Sequence, residues 1–110
     1  MNDRELLELA AKAAGIEIVP CPCHYEQWPF KYAEGQGKRG HWNPLTDDGD
    51  ALRLGVALRI KHERHPIHPF VAAWAPEIPA RFEEPEGDDP CAATRRAIVR
   101  AAAEIGRAMP

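Results

Sequence analysis

Leu6, Leu7, Ala10, Ala13 and Ala14 recur at three- and four-residue intervals behind a charged start, the spacing of one apolar helix face. Asn2 stands at an N-cap position with Glu5 three residues on, and Gly15 stands where a left-handed residue ends a helix. The pattern predicts a helix over residues 3–14. A broader stripe follows Asn43-Pro44: Ala51, Leu54, Gly55 and Leu58, widened by Leu52 and Val56. Asp47 is its natural N-cap, and Asp48 and Asp50 lie in a first turn where the helix dipole favours carboxylates. This predicts a helix over 48–60. A last helix begins after Asp89, with Pro90 at its first position and Thr94, Ile98, Ala101 and Ile105 along one face.

Between the helices the pattern changes to that of strands. Ile16, Ile18 and Val19 can start one, which Pro20 and Pro22 keep away from a sheet centre. Phe30 and Tyr32 alternate about Lys31, the GQGKRG run reads as a turn, and His41 and Trp42 return as an antiparallel partner. Residues 61–69, KHERHPIHP, read as a charged, proline-broken connection. PFVAAWAP reads as a buried strand over 69–75. IPARFEE, with Ile78, Ala80 and Phe82 inward, reads as a strand over 77–83, joined to it by a tight Ala75-Pro76 turn. An acidic loop, 83–89, leads into the last helix. The order is α-β-β-α-β-β-α, and strands joined by short turns pair antiparallel. Three one-faced helices must bury themselves on that sheet or on each other. The expected fold is α+β, a small antiparallel sheet packed between helices as an α/β/α sandwich, in a single domain over 1–110.

Composition narrows this only slightly. Alanine supplies 18 of the 110 residues, and Leu, Ile, Val and Phe together only 21, so the core is built from small side chains. The net charge of −3 argues against both disorder and a basic nucleic-acid-coating protein. No window approaches the ~20 apolar residues of a membrane span, so no membrane partner is expected. The MNDRELLELA start lacks the apolar region of a secretion signal, which points to the cytoplasm. Three cysteines, an odd number, then read as reduced thiols rather than a disulfide framework.

The same cysteines are the first candidate chemistry. Cys21, Cys23 and His24 lie close together, with His41, His62, His65 and His68 further along. Thiolate and imidazole are zinc ligands, and zinc takes about four. Cys-Pro-Cys is not the usual Cys-x₂-Cys knuckle, however, and no second pair follows; the competing reading is two plain thiols and solvated loop histidines. A Mg²⁺ or Ca²⁺ site at Asp47, Asp48 and Asp50 competes with simple capping, and the calcium-loop pattern with its distal Glu is absent. The last helix carries Arg96, Arg100 and Arg107 beside Arg95, a basic stripe that could bind an acidic partner or be neutralised by the acidic 77–89 stretch. With no serine, a Ser-His-Asp triad is excluded; Cys23 or Cys91 with a histidine is what remains for nucleophilic catalysis. Trp28, Trp42, Trp74, Tyr25 and Phe30 read as core before they read as a ligand groove.

HWNPLTDDGDALRLGVAL and DDPCAATRRAIVRAAAEIG, with the N-terminal ELLELAA helix, resemble the phage ABA-sandwich domain family of small tailed-phage and prophage proteins. The resemblance covers residues 2–15, 41–60 and 88–107, about half the chain. Cys-Pro-Cys-His and His-Pro-Ile-His-Pro lie outside it. It implies an α/β/α sandwich and a phage accessory role of unknown molecular activity, and it carries no catalytic residue across. The expected function is a non-enzymatic module that binds a phage or host protein through Arg96, Arg100 and Arg107 and the 61–69 loop. The alternative is a small-ligand or zinc-binding protein using Cys21, Cys23 and His24, and a small metal- or thiol-dependent enzyme ranks last.

Overall fold

The computed structural model describes residues 1–23 and 25–110. The chain runs α1 (Asp3–Ala14), β1 (Ile18–Pro20), β2 (Phe30–Tyr32), α2 (Asp48–Leu58), β3 (Lys61–Arg64), β4 (Phe70–Trp74), β5 (Phe82–Pro85) and α3 (Pro90–Ala108). The α+β class holds. The single sheet does not: β1 and β2 form one antiparallel pair, and β3, β4 and β5 form a separate antiparallel sheet in that order.

The helices begin where their capping chemistry puts them. Asn2 accepts the Glu5 N–H at 2.8 Å, and Gly15 closes α1 with φ 69°. Asp47 accepts the Asp50 N–H at 2.8 Å. α2 stops at Leu58, two residues short of the expected end, because Arg59 takes a left-handed φ of 58°. That turn sends Ile60 into the core, where its N–H donates to Gly55 O at 2.9 Å. Asp89 accepts the N–H groups of Cys91 and Ala92, satisfying two donors that open α3. Asp89→Ala is expected to lower stability by about 1 kcal/mol, read as a lower urea midpoint at unchanged slope.

α3 is the layer that the other elements share. It packs against α1, α2 and all three strands of the larger sheet, in place of a sheet lying between helices. Ala101, Ala102 and Ala103 are all fully buried, so most of the circumference of this helix is covered, with Arg96, Arg100 and Arg107 on the face left partly open. Small side chains let its neighbours approach closely. The seam with α1 is tightest at Gly106, where an added Cβ would lie 2.0 Å from the Leu9 carbonyl oxygen.

The larger sheet corrects two expectations. The 61–69 connection begins as strand β3, with Lys61 opposite Trp74 and Arg64 opposite Val71. Its four residues are all exposed, so no apolar alternation marked it. The strand expected over 77–83 is β5 at 82–85, with Phe82 opposite Ala73 and Pro85 opposite Phe70. The register leaves residues 75–81 as a wide connection rather than a tight Ala75-Pro76 turn. Pro76 and Pro79 have no N–H to give a ladder there. Phe82 is half-buried as expected, whereas Ala80 is exposed.

Candidate metal centre

β2 is flanked on both sides. Val19 of β1 faces Lys31 on one side, and an isolated bridge joins Lys31 to His41 on the other. Tyr32 N–H donates to Gly40 O and Trp42 N–H to Phe30 O, each at 3.1 Å. Cys21 N–H donates to Pro29 O at 2.9 Å and extends the β1–β2 ladder by one step. Strand alternation then sorts the side chains. Phe30 and Trp42 are 3% and 1% exposed and form part of the core, so their neighbours Lys31 and His41 stand on the outer face, with Val19 and Cys21 beside them.

Cys23 reaches the same face two residues on. The Cys21 and Cys23 sulfurs and a ring nitrogen of His41 all lie within 4.8 Å of one another. A tetrahedral zinc with sulfur ligands at ~2.3 Å sets its ligand atoms roughly 3.8 Å apart, so a contraction of about 1 Å or less closes the set. Two thiolates and an imidazole are a borderline-soft donor set of the kind zinc prefers.

The surroundings favour sulfur in its charged form at one position and not at the other. Cys23, accepting from the Cys21 thiol and from the backbone N–H of Tyr25, is held below the ordinary thiol range. Cys21, whose proton is shared toward Cys23, is pushed above it, with burial adding to the rise and Lys31 opposing it. Cys23 Sγ also lies 3.6 Å from Trp28 O. The Trp28 ring stacks on His41 with centroids 4.9 Å apart and planes 19° apart, fixing the imidazole over the outer face. Asn43, 4% exposed, holds the two halves together: its Nδ2 donates to Gln27 O at 2.7 Å. Supporting contacts of this kind orient metal ligands.

Of the three residues singled out for zinc in the sequence, Cys21 and Cys23 meet here, and His24 lies outside the described residues. His41 joins them, a residue the sequence placed in a returning strand and counted only among the more distant histidines. Its signal was cross-strand pairing, which links residues 20 positions apart and leaves no local spacing to read. The aspartates near α2 act as caps and structural acceptors, and among the described residues no other His, Cys, Asp or Glu cluster has metal-holding geometry. Cys91 is exposed at the start of α3 and is not part of this group.

The basic stripe is engaged within the chain. Arg96 pairs with Asp3 at 2.9 Å and lies 3.7 Å from Glu84. Arg100 pairs with Glu84 and lies over the Phe82 ring, and Arg107 pairs with Glu104. The double charge reversal Arg96→Glu with Arg100→Glu sets two new carboxylates against Glu84 and Asp3. It therefore perturbs folding electrostatics before it can report on a partner.

No protein-family model, no curated protein and no solved structure matches the chain. No helix is long and apolar enough to cross a membrane among the described residues.

Proposed function

We propose that this protein is a metal-stapled binding module in which Cys21, Cys23 and His41 hold one zinc ion. His24, next to Cys23 in the sequence, is the proposed fourth ligand. The observation that carries the reading is the convergence of two sulfurs from the Cys-Pro-Cys segment and an imidazole nitrogen from residue 41 within 4.8 Å. The ion would fasten the chain after β1 to residue 41 across β2, on the face opposite Phe30 and Trp42. In this reading the centre is structural, and the module serves as a phage or prophage accessory protein that works by binding a phage or host macromolecule. The resemblance in the 41–60 and 88–107 segments supports that setting, and the zinc group lies outside those segments except at His41.

Native mass spectrometry of the untagged protein, purified without chelator and reconstituted with zinc, tests this. One zinc per chain is expected, lost on acidification. Cys21→Ser, Cys23→Ser and His41→Ala are each expected to lose it, while His62→Ala keeps it. Chelation is expected to lower the melting temperature, because a metal bound only to the folded state adds its binding free energy to stability. A bare polypeptide after reconstitution overturns the reading. So does a Cys21–Cys23 disulfide that persists in reductant.

A further inference from the structure

β3 is an edge strand: among the described residues β4 is the one strand hydrogen-bonded to it. Its ladder with β4 continues to His65, whose N–H donates to Phe70 O at 2.9 Å. In an antiparallel ladder alternate residues point their N–H and C=O groups toward the partner strand. Lys61, Glu63 and His65 therefore face β4, and the backbone groups of His62 and Arg64 face outward. An open edge of this kind is a template for another strand.

Apolar surface gathers around the same edge. Ile67 in the β3–β4 connection is 82% exposed, and Val56 and Leu52 on α2 are 71% and 65% exposed. These are the three most exposed large apolar side chains among the described residues. A cleft of about 390 Å³, lined in part by Ala51, Leu52, His62, Arg64, Cys91 and Ile98, separates β3 from α2.

We propose that a second copy of this chain pairs with this edge, β3 against β3 antiparallel, to give a continuous six-stranded sheet across a two-fold axis. The strand selects its own register. Outward-facing backbone groups must meet each other, which requires the axis to pass through a residue of β3 or next to it. An axis at Lys61 sets lysine opposite lysine, and one at Glu63 sets glutamate opposite glutamate. An axis at Arg64 sets arginine opposite arginine and also brings Pro66, which has no N–H, opposite His62. An axis at His62 sets Lys61 opposite Glu63 of the second copy, twice, with opposite charges facing each other, and sets Arg64 opposite Ile60, a pair with one hydrogen bond because the Ile60 N–H is given to Gly55 O. Lys61 makes no ion pair among the described residues, and Glu63, which pairs with Arg81 through one carboxylate oxygen at 2.9 Å, keeps the other for it. In this register the connection carrying Ile67 runs toward the C-terminal end of the second copy's α2, where Val56 is exposed. The isologous contact thus covers the apolar side chains that the single chain leaves in water.

Sedimentation and light scattering of the full chain over a concentration series test this. A dimer is expected for the wild type, both with zinc and with chelator. His62→Pro removes an outward N–H and no bond to β4, so it is expected to yield a folded monomer with unchanged zinc content, whose melting temperature no longer rises with protein concentration. Lys61→Glu is expected to weaken dimerisation about tenfold or more, and Lys61→Glu with Glu63→Lys to restore it. A monomeric wild type overturns the proposal, including the case in which a different protein occupies the edge. So does a dimer that survives in folded His62→Pro. A dimer that chelation alone dissolves also overturns it, because the contact would then belong to the metal centre.

Discussion

Gly106→Ala is expected to destabilise the protein by on the order of 3 kcal/mol, seen as a large fall in the urea midpoint. The sign is informative. Alanine is intrinsically the better helix residue by about 1 kcal/mol, so a loosely packed site would be stabilised by the change. Here the new Cβ meets backbone: Leu9 O at 2.0 Å and Leu9 C at 2.9 Å. No rotamer change relieves such a contact, and α1 has to move away from α3. That displacement opens the seam holding Leu6, Leu7 and Ala10 against the buried alanines of α3. A midpoint that rises instead shows that the helices are further apart than the close approach requires.

Asp50→Ala is expected to lower stability by about 2–3 kcal/mol, and Asp50→Asn by less. Asp50 is 5% exposed; its carboxylate accepts the Asn43 N–H at 3.0 Å and an Arg53 guanidinium N–H at 2.8 Å. Alanine leaves the buried Asn43 N–H without an acceptor, whereas asparagine keeps an oxygen there. The local consequence falls on residues 41–43, which carry His41 on one face and Trp42 on the other. Urea unfolding measures the stability change, and zinc retention under a chelator titration measures the effect on the centre. Equal losses in the two variants show that the charge of Asp50, not its acceptor oxygen, holds the segment.

The helices were legible because their information is local. Asn2, Gly15, Asp47, Asp89 and Pro90 each act within one turn of themselves, and α1 occupies the expected residues. β3 was not legible. Lys61, His62, Glu63 and Arg64 carry no apolar alternation, and their strand state is imposed by β4. β5 misled for the opposite reason. Ile78, Ala80 and Phe82 alternate as a strand would, yet the register with β4 starts only at Phe82. Trp42 and Phe30 are core as expected, while Tyr25 is exposed. At the metal centre the sequence singled out the Cys-Pro-Cys pair and left His41 as one of four more distant histidines, because that histidine arrives through a bridge to β2 rather than through nearby spacing.

The packing of α1 on α3 brings together the first and last helices of the described chain. During synthesis, every residue of the β1–β2 hairpin and its bridge to His41 leaves the ribosome before α3 is made. The proposed ligands could therefore assemble on a nascent chain whose α1 still shows Leu6, Leu7 and Ala10 to solvent. Only when α3 emerges do α1, α2 and the larger sheet gain their common neighbour, so completion of the core waits on the most distant contacts in the chain. Until then, early capture of the ion would already tie the Cys-Pro-Cys segment to residue 41 on the growing polypeptide.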